Sequence, residues 1–71
     1  MLRKHSVSIN GHRTSFSIED PFMDELRRMA RRDGKSLSQL ITQVDNHRDP
    51  GQNLSSSLRL LVLDDLTASR S

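Results

Sequence analysis

The sequence predicts a mainly α-helical chain carrying a short β-ribbon: a strand or hairpin, then three helices. Three observations lead there. Apolar residues alternate in period two on both sides of Asn10-Gly11. Two apolar stripes at helical spacing follow, separated by turn residues, and a leucine-rich arc fills the last third of the chain.

The alternating segment is expected to form the strand or hairpin over residues 3–18. His5, Val7 and Ile9 fall on one parity, and Thr14, Phe16 and Ile18 continue it after Asn10-Gly11. Asn-Gly suits a type I′ turn, because both of its central positions need positive φ. A two-residue hairpin sets Ile9 against His12, Val7 against Thr14 and His5 against Phe16. Ser8 with Arg13 and Ser6 with Ser15 then share a wholly polar face.

The first helix is expected over 20–33, with Asp20 as N-cap and Pro21 at the first helical position. Phe22, Leu26, Met29 and Ala30 make its apolar stripe, Met23 lies on the edge, and Gly34 ends it. Ser36 with Gln39 forms a capping box that opens a second helix over 36–47, with Leu37, Leu40, Ile41 and Val44 inward. Asp49-Pro50-Gly51 marks a turn. Asn53 caps a third helix over 53–67, with Leu54, Leu58, Leu61 and Leu66 on one side. Leu60, Val62 and Leu63 widen that arc, which suits burial against two neighbours.

With 71 residues the chain is expected to be one domain, residues 1–71. Chains this short bury little of their surface, and many lean on a disulfide, a metal or a partner subunit. Cys, Trp and Tyr are absent and only two Phe are present. Oligomerisation is thus the remaining way to enlarge an aliphatic core, and an obligate homodimer is expected. The absence of a long apolar run at the N-terminus predicts no signal peptide and no membrane span, and a cytoplasmic location fits. The net charge of +2 is unevenly spread. Residues 1–18 hold Arg3, Lys4 and Arg13 without an acid, so the positive excess lies in the strand region.

From Arg13 to Ile41 the chain resembles the ribbon-helix-helix family of bacterial repressors, the MetJ/Arc/CopG type. The resemblance rests on an ordered set. It comprises the alternating Arg13-Thr14-Ser15-Phe16-Ser17-Ile18, the stripe Phe22, Leu26, Met29 and Ala30, the turn Gly34-Lys35-Ser36, and the opening Leu37-Ser38-Gln39-Leu40-Ile41. The added N-terminal strand and third helix point to a separate bacterial branch of that superfamily.

The resemblance implies a dimer in which two subunits pair their strands antiparallel and insert the ribbon into the major groove of double-stranded DNA. Arg13, Ser15 and Ser17 would then contact base edges. Arg13 is suited to a bidentate bond with guanine, and the serines read permissively. Lys35, Ser36 and Leu37, at the start of the second helix, would contact phosphate, as would Arg3 and Lys4. A transcriptional repressor with sequence preference is the function expected. The alternative is a protein-interaction or antitoxin-like dimerisation module whose residues 53–71 bind another protein.

The segment Arg3 to Ile9 complicates this arrangement. Paired in both subunits, it would make a four-stranded sheet. At about 4.8 Å between strands, such a sheet overfills a groove about 12 Å wide. The segment would then be a basic arm, dock elsewhere, or belong to a sheet that binds something else.

Other chemistry is not expected. Gly34-Lys35-Ser36 lacks the earlier glycine of a phosphate-binding loop, since Met29 stands there. His5, His12 and His47 have no metal-ligand spacing, no Gly-x-Ser-x-Gly elbow is present, and the adjacent Asp64 and Asp65 cannot face each other as a catalytic pair. No enzyme, cofactor or metal is predicted. Arg27, Arg28, Arg31 and Arg32 lie opposite the apolar stripe with Asp24 and Glu25, and Asp24 sits at i,i+4 from Arg28. A solvated, partly paired surface is expected there.

Overall fold

A computed structural model describes residues 1–68. Strands β1 (Leu2–Ile9) and β2 (His12–Glu19) form a two-stranded antiparallel sheet, and helices α1 (Asp20–Arg32), α2 (Leu37–His47) and α3 (Leu54–Ala68) follow. The hairpin and three helices appear in the expected order. The end of the segment expected to meet a protein partner, residues 69–71, lies outside the described residues.

The hairpin has the expected register: Ile9 faces His12, Val7 faces Thr14, His5 faces Phe16, Ser6 faces Ser15 and Ser8 faces Arg13. Asn10 and Gly11 sit at φ 52° and 81°, as a type I′ turn requires. The pairing runs the full length of both strands, so Arg3 to Ile9 is not a detached arm. It is also bonded to α2: the Ser38 hydroxyl donates to the Ser8 carbonyl at 2.7 Å, and the Asn10 amide donates to Asn46 Oδ1 at 3.0 Å.

The inner face of the hairpin delivers Ile9, Phe16 and Ile18 into one core with Met23, Leu26, Met29, Ala30, Leu40, Ile41, Leu54, Leu58 and Val62. His5 is half-buried there, its ring stacked on Phe16 at 5.7 Å, and its buried Nε2 lacks a hydrogen-bond partner. His12, expected on the same face, is exposed at the turn.

Three local expectations shift. The N-cap of α1 is Glu19, one residue before Asp20, and makes no side-chain capping bond. Both carboxylates at this helix start are engaged elsewhere, Asp20 with Arg3 at 3.1 Å and Glu19 with Arg59 at 2.9 Å. On α1 it is Met23 that is fully buried, whereas Phe22 is half-buried under the Arg59 guanidinium, 6.0 Å from the ring centre. On α3 the buried line is Leu54, Ser57, Leu58 and Val62. Leu66, expected inward with Leu58, is 39% exposed, and Leu60 and Leu63 are 52% and 58% exposed.

Between the hairpin and α3, chain punctuation follows local chemistry. Gly34, at φ 69°, turns the chain after α1, and the Lys35 amide closes back on the Ala30 carbonyl at 2.8 Å. Both bonds of the Ser36/Gln39 capping box form, and Asn53 Oδ1 accepts from the Ser56 amide at 3.3 Å.

Asp65 ties α3 to α1. It accepts from Arg28 Nη2 at 2.7 Å and from Arg32 Nη1 at 2.8 Å, while Arg28 Nε also reaches Glu25. Asp24 pairs with Arg27 rather than with Arg28. Hydrogen bonds from Arg28 and then Arg32 hold the Asp65 carboxyl below its ordinary range. A carboxyl lowered in the folded state adds stability above its unfolded value, about 3.9, and loses it as pH falls through the folded value. Asp65→Asn is therefore expected to lower the urea midpoint at neutral pH. The gap from the parent should shrink as pH drops below about 4. A gap unchanged at the most acidic pH that permits folding would show that the carboxylate is not what holds α3.

Candidate functional site

Alternation divides the hairpin into two chemically different faces. Turned away from the helices are Lys4, Ser6, Ser8, Arg13, Ser15 and Ser17, in the cross-strand pairs Lys4–Ser17, Ser6–Ser15 and Ser8–Arg13. Arg13 and Ser15 are exposed and Ser17 is half-buried. The Ser6 and Ser15 hydroxyls lie 3.3 Å apart. Every residue in this group is a hydroxyl or a cation.

The acid that shares this parity, Glu19, is drawn aside by Arg59 of α3. The hydrogen bond from Arg59 holds the Glu19 carboxyl below its ordinary value, so it stays ionised and paired. The hairpin face therefore keeps its positive character from Lys4 and Arg13. Nothing local in the sequence announces this pairing, which joins residues 40 positions apart.

Arg3, expected beside Lys4 on phosphate, stands on the other face of β1. It shares parity with His5, Val7 and Ile9 and pairs with Asp20. The signal was present in the alternation itself, since neighbouring strand residues point to opposite faces.

Lys35, Ser36 and Leu37 lie together at the start of α2. Lys35 Nζ donates to Gln43 Oε1 at 2.6 Å. The Ser36 amide is consumed by Gln39 Oε1 at 2.8 Å, and the Ser36 hydroxyl accepts from the Gln39 amide. What remains are the amides of Leu37 and Ser38, which no bond within the helix can satisfy. Ser38 also bonds Ser8, so this helix end stands beside the Ser8–Arg13 pair. The structure thus brings Arg13, Ser15 and Ser17 onto one surface, with the start of α2 at its turn end.

The family model for the ribbon-helix-helix domain matches residues 2–66. The chain belongs to the ribbon-helix-helix family. The match begins at β1 and ends within α3, so the first strand and third helix belong to the matched unit, beyond the Arg13–Ile41 stretch that carried the resemblance. No curated protein and no solved structure matches the chain. Ribbon-helix-helix domains are generally DNA-binding transcription regulators, and the family implies dimerisation. Among the described residues of this ribbon-helix-helix chain, no helix is long and apolar enough to cross a membrane.

Proposed function

We propose that this ribbon-helix-helix protein binds double-stranded DNA with sequence preference as a homodimer and represses transcription from the site it occupies. The observation that carries this reading is the stretch of the hairpin's outward face from the turn to the Lys4–Ser17 pair, all hydroxyls and cations, in a family of DNA-binding regulators. Arg13, Ser15 and Ser17 read base edges in the major groove, which admits a two-stranded ribbon. Lys4, Lys35, the Ser36 hydroxyl and the Leu37 amide meet phosphates.

The second copy docks on α3. Leu60, Leu63 and Leu66 are exposed there, and the adjoining groove between α2 and α3 is lined by Leu40, Val44 and Leu61. Gln43 and His47 border that groove on α2 and Asp64 on α3, so polar groups rim the apolar surface that would meet its copy across a two-fold axis. The doubly substituted Leu60→Asp/Leu63→Asp protein is expected to sediment as a folded monomer with unchanged helix content. A variant that still sediments as a dimer would remove α3 from the interface.

Binding to a pooled random duplex should weaken linearly on a log–log plot against salt, with a slope of about −0.9 per phosphate neutralised. Fluorescence anisotropy on labelled duplex measures it. A second reading, a protein-interaction or antitoxin-like module, draws on the same exposed leucines. It predicts no salt-dependent DNA binding and a protein that co-purifies until Leu60 and Leu63 are changed.

A further inference from the structure

We propose that Arg59 of α3 is a positioning residue for DNA binding: it holds the Glu19 carboxylate off the reading face and so leaves Lys4 available to phosphate. This rests on the DNA-binding reading above and gives the third helix a part in it.

The register places the acid. Glu19 ends β2 on the parity of Arg13, Ser15 and Ser17, and it is the one acid among the outward residues of the two strands. A strand rises about 3.3 Å per residue, so Glu19 follows Ser17 by about 7 Å. Exposed charges act on one another over a Debye length of about 10 Å at 0.1 M salt. A carboxylate left open at this point would repel the phosphates beside any base that Ser17 meets.

The outward neighbours of Glu19 on β1 are Leu2 and Lys4. Leu2 stands directly opposite, exposed and without charge, and Lys4, opposite Ser17, is the diagonal neighbour. Diagonal partners lie about 7–8 Å apart, within reach of long side chains. Among the described residues Lys4 is without an ion pair. Released from Arg59, Glu19 would turn to Lys4, and the face would gain an acid and lose a phosphate contact together.

Arg59 prevents both. Its Nε donates to Glu19 Oε1 at 2.9 Å, and its guanidinium lies over Phe22, 6.0 Å from the ring centre. Phe22 stands in the first turn of α1, three residues after Glu19, so one side chain grips the strand end and the helix start. The rotation of α3 that presents Arg59 here is set by the core, since Leu58 and Val62 on either side of it are fully buried.

Two measurements test this. In the first, labelled duplex of pooled random sequence is titrated with the parent, Arg59→Gln, Glu19→Gln, the double variant and Arg31→Gln, and anisotropy is read across a salt series. Arg31 is exposed on α1, so its variant removes the same unit of charge away from the hairpin. All should keep the parent's far-UV spectrum, because none of these side chains belongs to the core. Arg59→Gln should weaken binding about fivefold, the effect of one unit charge at contact distance in water. Its salt slope should flatten by about 0.9 as Lys4 leaves its phosphate. Adding Glu19→Gln should restore the slope, and the affinity to within about twofold. Glu19→Gln alone should bind at least as tightly as the parent, and Arg31→Gln should lose less than about twofold.

A loss that Glu19→Gln fails to restore would mean that Arg59 itself touches DNA. Equal losses in Arg59→Gln and Arg31→Gln would reduce the effect to net charge, and either result overturns the proposal. If the parent binds no duplex, the DNA-binding reading fails first and this inference with it.

The second measurement needs no DNA. In an NMR titration of the side-chain carboxyls, parent Glu19 should titrate below its ordinary value, because the hydrogen bond from Arg59 favours the ionised form. It should move up towards that value in Arg59→Gln. A parent Glu19 with an ordinary value would show that the pair does not form in solution, and would overturn the proposal whatever the DNA result.

Discussion

Replacing Leu58 by alanine is expected to cost about 2–5 kcal/mol, the range for deleting a fully buried leucine. Leu58 is wholly inaccessible on α3 and belongs to the same cluster as Phe16 of β2, Leu26 of α1 and Ile41 of α2. A chain this size holds roughly 4–10 kcal/mol in total, so the substitution removes a large share of it. The loss should be cooperative: hairpin and helix signals should fall together in urea, at a midpoint far below that of the parent. This result separates two pictures of α3. A tail that orders only on a partner would tolerate Leu58→Ala with little change in the free protein, and a shift below about 0.5 kcal/mol, the scale of an ordinary surface substitution, would favour it. Because Leu54, Leu58 and Val62 are committed to the subunit's own core, only the outer leucines of α3 remain for another chain.

Arg13→Ala is expected to leave the fold intact and remove base discrimination. The side chain is exposed on the outward hairpin face and contributes nothing to the core, so thermal unfolding should be unchanged within experimental scatter. A bidentate arginine–guanine contact is worth about 1–3 kcal/mol of discrimination. The ratio of affinities for the selected site and a mismatched duplex should therefore fall about 5- to 150-fold. Arg13→Lys refines the test, because lysine keeps the charge without the planar fork. It should preserve the salt slope and still lose the preference. Competition anisotropy at one fixed ionic strength measures both. Undiminished discrimination in Arg13→Ala would mean that the hairpin does not read sequence through this residue.

The parts of the molecule that were legible in advance are governed by short-range chemistry. Asn10-Gly11 dictates a turn of one hand, and period-two alternation then leaves a single register that puts Phe16 and Ile18 inward and Arg13 and Ser15 outward. Ser36 and Gln39 satisfy each other's orphan groups within a single helical turn, so their capping box is visible as a spacing. Gly34 ends α1 because its positive φ is costly for other residues. The same alternation places Arg3 on the inner parity, although composition alone groups it with Lys4 as a basic end.

Other features depend on how the elements dock. The leucines of α3 span most of its circumference, so spacing cannot say which line faces inward. Packing against α1 and β2 turns Leu58 and Val62 to the core and leaves Leu60, Leu63 and Leu66 outside. Asp65 looks like a surface residue until α3 lies against α1, where Arg28 and Arg32 converge on it. The pairing of Glu19 with Arg59 likewise requires α3 to cross the end of β2.

By itself, then, the sequence determined the hairpin, its two faces, the Gly34 stop, the Ser36 and Asn53 caps and the resemblance carried by Arg13 to Ile41. Those follow from torsional preference and side-chain alternation, which act over a few residues. Only the tertiary structure decided that β1 is built into the subunit, that Arg3 pairs with Asp20, and which leucines of α3 remain open. Each of those depends on where one element stops against another, and that contact is settled by long-range packing of the whole core.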